Sequence, residues 1–365
     1  MTGPEDDSRE SVFAAPDRNA DPGVPQHPGG SEHAGHGGYG GITVQTVTGR
    51  VPVDRLGWTL PHEHILMSGA FQAPGLALVD VELAAAELAD AFAIGTRTVI
   101  DATPFDLNRR PRDLVWLSQT TGMQIVMGSS WYLHKTYPER LAFASTRSLT
   151  DELLKDIGEG CEGIRPGVIG EMGTWSASIE AREERVIRAA GRAQLASGLP
   201  IILHQQRQYS GGAVLEILGE EGVDPKAVVL GHTDSIPDRA GREAAVATGA
   251  WLGFDRLQGW ELVHQLSPFE TDRRVRLLQE ARAEGYLGRV LLDTDCCVVG
   301  DLRRFEGPGY CYTHGDFAAT LSEAGFTADE LEMLFRTNPA RMFTVAFMES
   351  RPGKLMSQAA TEASS

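Results

Sequence analysis

Six residues of metal-ligand type close five separate apolar runs, and this ordered placement constrains the fold more than any other feature of the chain. His62 and His64 follow Leu56-Gly57-Trp58-Thr59-Leu60, Glu171 closes Pro166-Gly167-Val168-Ile169-Gly170, and His204 closes Pro200-Ile201-Ile202-Leu203. His232 closes Val228-Val229-Leu230-Gly231, and Asp295 closes Arg289-Val290-Leu291-Leu292-Asp293-Thr294. Side chains of an extended strand alternate faces, so His62 and His64 point to one side and can reach one ion, while Glu63 between them points away and reads as structural. Taken singly, each of the six is better explained as a satisfied buried polar residue or a helix N-cap. Packing gives no reason for four histidines, a glutamate and an aspartate to gather at the same end of successive strands. Imidazole and carboxylate ligands suit a zinc-type catalytic site with an open position for water, and this many of them suit two ions that share a bridging group.

Between residues 42 and 347 short apolar runs alternate with helical patterns, which is the signature of repeated βα units. The strand candidates are Trp58–His62, Thr96–Thr103, Gln124–Ser129, Gly167–Met172, Pro200–His204, Ala227–His232, Trp251–Asp255 and Arg289–Asp295. Eight parallel strands, each followed by a helix, close as a (β/α)8 TIM barrel with its active site at the C-terminal strand ends, where all six candidates fall. Helix signals agree. Asp80 can cap a run ending at Gly95, Ser178 opens a charged helix ending near Gly198, and Thr327 with Glu330 forms a capping box. A chain of 365 residues would suggest two domains at about 150 residues each, but an α/β barrel routinely takes about 250 or more as one.

The remaining composition sets limits. Residues 1–41 are rich in Gly, Pro, Asp, Ser and His without apolar periodicity, and are expected to be a disordered polar tail in which His27, His33 and His36 are incidental. Residues 348–365 read as a flexible C-terminal tail. Lys plus Arg number 33 against 50 Asp plus Glu, a formal balance of −17, which disfavours nucleic acid or an anionic membrane as partner. No run approaches the roughly 20 apolar residues of a membrane span. Cys161, Cys296, Cys297 and Cys311 show no C-x-x-C spacing, and no export signal precedes the barrel, so a cytoplasmic location is expected.

Leu60-Pro61-His62-Glu63-His64, Gly170-Glu171-Met172-Gly173, Leu203-His204, Gly231-His232-Thr233-Asp234, Gly253-Phe254-Asp255, Leu292-Asp293-Thr294-Asp295 and Thr337-Asn338-Pro339-Ala340-Arg341 resemble, in order and spacing, the phosphotriesterase-related branch of the amidohydrolase superfamily. The resemblance implies a binuclear centre in which His62, His64 and Asp295 hold one ion, His204 and His232 hold the other, and Glu171 bridges both. In the phosphotriesterases proper a carbamylated lysine bridges; Glu171 stands in its place, as in the phosphotriesterase homology proteins. A carboxylate is shorter than a carbamate, which argues against organophosphate turnover. Arg256 follows Asp255 where phosphotriesterases carry a histidine proposed to relay protons, so that relay is not expected. Asp255 is expected to orient ligand or loop groups.

Two divalent ions, zinc first with manganese, cobalt or iron as alternatives, would bring the pKa of a shared water from about 15.7 toward roughly 7. The expected nucleophile is thus a metal-bridging hydroxide, with Asp295 taking up the proton and delivering it to the leaving group. The expected substrate is a small ester, lactone or amide bearing a negative charge. A phosphoester or phosphotriester is the rival. A catalytically silent binding barrel would ordinarily have lost a ligand, and none is missing. Arg256 and Arg207 could grip the anion, since guanidinium matches oxyanions bidentately. Tyr132, His134 and Trp175 are expected to line the pocket, whereas Trp131, Trp260 and Cys296-Cys297 read as packing at the barrel mouth. Such barrels often form homodimers.

Overall fold

The computed structural model describes residues 41–69, 75–176, 178–205, 211–257 and 268–350, with 352 and 354. Two strands precede the barrel, β1 (Thr43–Thr46) and β2 (Gly49–Pro52), paired as an antiparallel hairpin with Thr43 opposite Pro52. The barrel strands are β3 (Trp58–Glu63), β4 (Thr96–Asp101), β5 (Gln124–Met127), β6 (Ile169–Gly173), β7 (Ile201–His204), β8 (Val228–Leu230), β9 (Trp251–Phe254) and β10 (Val290–Leu292). They correspond one for one to the eight expected runs and are mostly shorter.

Parallel pairing joins β3-β4-β5 in one arc and β6-β7-β8-β9-β10 in another. Backbone bonds carry the ring across both seams. Gly167 N donates to Met127 O at 2.9 Å and Gly170 N to Ser129 O at 2.9 Å, while His64 N donates to Cys296 O at 3.2 Å. The result is a (β/α)8 barrel. Strands read as continuous apolar runs because both faces are buried. Ile100, Val126, Ile202, Val229 and Leu291 belong to one buried cluster inside the ring. Their chain neighbours Val99, Ile125, Leu203, Leu230 and Leu292 pack outward in two others, against the helices.

The helices are α1 (Val81–Ala93), α2 (Pro111–Thr121), α3 (Thr146–Glu159), α4 (Ala181–Ser197), α5 (Gly211–Glu220), α6 (Arg239–Ala247), α7 (Pro268–Ala283), α8 (Asp316–Glu323), α9 (Ala328–Glu332) and α10 (Asn338–Met348). Asp80 caps α1 by accepting from Leu83 N at 3.1 Å, and Thr327 and Glu330 exchange the two bonds of a capping box ahead of α9. The helix expected from Ser178 begins later, at Ala181, because Glu183 reaches back to accept from Glu180 N at 3.0 Å.

The hairpin was not expected from sequence, since its short strands carry little apolar alternation. Ile42, Val44, Val53 and Leu56 join the inner cluster together with Met342 and Phe343 of α10. These residues close the end of the barrel opposite the candidate ligands. At Gly167 a Cβ would lie 2.2 Å from the carbonyl oxygen of Gln45, so only glycine lets the hairpin come this close. No described helix is long and apolar enough to cross a membrane.

Candidate metal centre

Alternation alone does not aim the six side chains inward. Leu60 packs outward, so a regular strand would also turn His62 outward; a register shift between Leu60 and Glu63 reverses it. A second shift between Ile169 and Met172 does the same for Glu171. His232 and Asp295 lie just beyond the ends of β8 and β10 in left-handed backbone, with φ of 58° and 52°. That conformation is uncommon for residues with a Cβ and clusters at functional sites.

The structure brings all six together, each nearly inaccessible to solvent. Glu171 is the hub. Its Oε1 lies 3.2 Å from His62 Nε2, 2.8 Å from His204 Nδ1 and 3.4 Å from His232 Nε2, and its Oε2 lies 3.5 Å from His64 Nε2. Asp295 Oδ1 faces His64 Nε2 at 3.3 Å. Three groups have donor atoms within 4.8 Å of one another, His62-His64-Asp295, Glu171-His204-His232 and His62-His232-Asp255. These residues fit a metal. His62 Nε2 and Asp295 Oδ1 are buried and make no well-aligned hydrogen bond among the described residues, although Glu171 Oε1 and His64 Nε2 face them at 3.2 and 3.3 Å, and a cation between these groups would take their lone pairs.

Asp255 orients two of the imidazoles. Its Oδ2 sits 2.7 Å from His62 Nδ1 and its Oδ1 2.8 Å from His232 Nδ1, which fixes both rings with Nε2 turned toward Glu171 and the rest of the cluster. His232 N also donates to Asp255 Oδ1 at 2.7 Å. Glycine makes room for this carboxylate: a Cβ at Gly253 would lie 2.5 Å from Asp255 Oδ2. His64 has a different partner, Thr103 Oγ1 at 3.0 Å, whose hydroxyl donates to Asp101 Oδ1 at 2.7 Å. Sequence reading missed Asp101 and Thr103, although both end the second barrel strand as the ligands end theirs.

Charge is shared tightly here. Burial opposes ionisation of Glu171, yet His204 and His62 facing it hold its carboxyl well below the usual range. Burial likewise opposes charge on His64 and His232, but their carboxylate neighbours push each up to about 9. Glu63 points away from the cluster, as expected, and is fully buried; it accepts from Thr294 Oγ1 and from Cys296 N, the latter at 2.6 Å, tying β3 to the segment that carries Asp295.

A cavity of about 470 Å³ opens above the cluster. Glu171, His64, His204 and Asp295 form its floor, and Tyr132, Trp175 and Arg256 line it. Tyr132 Oη lies 3.2 Å from His204 Nδ1. Arg256 is already engaged, with its Nη2 2.9 Å from Asp295 Oδ2. His134 does not line the cavity; its Nδ1 faces buried Glu183 at 2.8 Å. Trp131 is core and packs on Phe105. Arg207, Trp260 and the tail histidines His27, His33 and His36 lie outside the described residues. Sequence reading also missed Lys135, which lines the cavity next to His134.

The profile of the phosphotriesterase family matches residues 42–343. The chain belongs to the phosphotriesterase family. It is 29% identical to the phosphotriesterase homology protein of Escherichia coli (strain K12), over 80% of this chain and 99% of that protein. It is 31% identical to the N-acetyltaurine hydrolase of Rattus norvegicus, over 82% of this chain and 97% of that one. Among solved structures it resembles a lactonase from Listeria monocytogenes with a TM-score of 0.76, at 26% identity and over 83% and 99% of the two chains. As a phosphotriesterase-family protein with this cluster, the chain is a metal-dependent hydrolase.

Proposed function

We propose that the protein hydrolyses the amide or ester bond, lactones included, of a small substrate carrying a negative charge, with two divalent ions, zinc first, in the cluster at the cavity floor. The convergence of His62, His64, Glu171, His204, His232 and Asp295 on one buried point carries this reading. His62, His64 and Asp295 would hold one ion, His204 and His232 the other, with Glu171 between them. Bound there, divalent ions supply a hydroxide near neutral pH and a Lewis acid for the scissile oxygen.

The chain's own residues do the rest. Asp255 holds the Nδ1 protons of His62 and His232, so both rings present lone pairs in a fixed direction. Asp295 stands at the floor to accept the proton of the attacking water and return it to the leaving nitrogen or oxygen. Burial opposes its ionisation, but the Arg256 guanidinium and the nearby histidines keep its carboxyl below the usual range, so it starts the cycle as a base. Tyr132 presents its hydroxyl beside His204, where it can reach a substrate oxygen. Met67, Leu107 and Val298 supply apolar wall that keeps bulk water from the floor.

Support for an amide or ester over a phosphotriester comes from Glu171, a short bridge in place of a carbamate, and from relatives named N-acetyltaurine hydrolase and lactonase. The test is elemental analysis combined with a panel of N-acyl amino acids, lactones, aryl esters and phosphotriesters. The expected result is close to two ions per chain and the highest kcat/KM on an amide, lactone or ester. Full activity at one ion per chain, or preferred turnover of a phosphotriester, overturns the reading.

A further inference from the structure

Two cations line the cavity, and they differ in exposure. Arg256 lies at the floor and is nearly buried, its guanidinium committed to Asp295 at 2.9 Å. Lys135 is exposed, and its ammonium lies 3.4 Å from the centroid of the Trp175 ring, itself 43% exposed. Lys135 therefore marks the mouth. Among the described residues no carboxylate pairs with it.

The pair is held in place from beneath. Glu183, on the first turn of α4 and fully buried, accepts from Trp175 N at 3.0 Å and faces His134 Nδ1 at 2.8 Å through the same Oε1. One carboxylate thus pins the backbone that carries the tryptophan and the residue beside the lysine. A long lysine side chain loses rotamer freedom over an indole, a cost that cation–π attraction at an exposed site offsets only in part. The arrangement suits a group that adds a second attraction for the ammonium.

We propose that Lys135, stacked on Trp175, is the anion-recognising residue of this hydrolase. It selects amides or esters whose carboxylate or sulfonate lies at the end of a short alkyl chain remote from the scissile bond. Resting on the hydrolase reading above, the geometry divides the labour: the floor takes the scissile carbonyl, the indole face takes the alkyl segment, and the ammonium takes the oxyanion. A compact ammonium accepts trigonal carboxylate or tetrahedral sulfonate without demanding the planar fork of a guanidinium. Arg256, expected from sequence to grip the anion, acts instead through Asp295.

The test compares N-acetyltaurine, N-acetyl-β-alanine and neutral N-acetylpropylamine on metal-loaded wild type, Lys135→Gln, Lys135→Arg and Arg256→Ala. Lys135→Gln should raise KM for the two anions about tenfold, leave their kcat within about twofold and leave the neutral amide unchanged, because it removes uniform binding only. Lys135→Arg should restore most of the anion preference. Arg256→Ala should instead lower kcat for all three amides about 10- to 100-fold, the scale of one hydrogen bond to a charged group. The wild-type preference for anions should shrink at about 1 M salt, where the Debye length is about 3 Å. Calorimetric binding of the two anions to wild type and Lys135→Gln provides a readout that needs no turnover. If no amide is cleaved but the anions bind wild type and not Lys135→Gln, the amide assignment fails and the clamp stands. Equal binding by both proteins, equal KM for charged and neutral amides in wild type, or anion preference lost only in Arg256→Ala overturns the clamp.

Discussion

At the residue scale, Asp255 decides the chemical form of two histidines that lie on different strands. Its oxygens are split, one to each Nδ1, and although burial opposes its charge, His232 and His62 together outweigh that and hold its pKa well below the usual range, so it remains a carboxylate under all ordinary conditions. Asp255→Asn keeps the shape but offers one side chain that must donate as well as accept, so one imidazole loses its fixed tautomer. We expect metal affinity to fall about 10- to 100-fold, the usual scale for removing a ligand's hydrogen-bond partner, with the far-ultraviolet dichroism unchanged. Competition with a chromophoric chelator measures this; affinity within twofold of wild type would show that the ligands hold their orientation without Asp255.

At the element scale, α8 is docked by a histidine at the end of the barrel away from the metal cluster. His314 precedes α8 and packs between Trp58, the first residue of β3, and Phe335, at ring-centroid distances of 5.4 and 4.7 Å. Its Nδ1 faces Thr96 Oγ1 at 2.8 Å. Burial, with no carboxylate facing it among the described residues, lowers its pKa to about 3. Unfolded, it titrates near 6.5. Below that value the unfolded chain binds a proton that the folded chain refuses, so the contribution is whole above pH 6.5 and is lost as pH falls toward 3. Between pH 6.5 and 5 wild type should lose about 1.6 kcal/mol more unfolding free energy than His314→Gln, because the differential proton rises from one half toward one across this window and a whole one is worth about 1.36 kcal/mol per pH unit. Urea unfolding at the two pH values gives the comparison, and parallel profiles would place His314 in a wetter environment than the one described.

At the scale of the whole molecule, the cluster joins strands from both arcs of the barrel, β3 from one and β6 to β8 from the other, so ions held there would act as a clasp on the ring. In their absence protons occupy the site: His64 and His232 are held up to about 9 by their carboxylates, and ligation requires them neutral. Metal uptake should therefore release protons, and apparent affinity should rise with pH until about 9 and flatten above it. Chelation at pH 7 should abolish activity and lower Tm, with both restored by zinc, since a ligand that binds only the folded state stabilises it by mass action, about 2.7 kcal/mol at 100 times Kd. Calorimetric scans with and without chelator, and proton release followed in weak buffer, check both statements; an unchanged Tm would mean that the barrel closes independently of its metals.

Much of this protein was legible along the chain because its information is local and periodic. Buried strands read as short apolar runs, caps as single polar residues such as Asp80 and Thr327, and the ligands as His, Glu and Asp at run ends, which suffices for eight strands, a barrel and a metal-bearing face. Contacts between distant segments carry no such periodicity. That a shift in β3 turns His62 inward, that Arg256 reaches Asp295 and Glu183 holds both His134 and Trp175, and that an unremarkable hairpin stoppers the barrel were settled only by folding. Each depends on register or on the meeting of side chains far apart in sequence, and both are fixed by packing around the closed ring rather than by any residue's own preference.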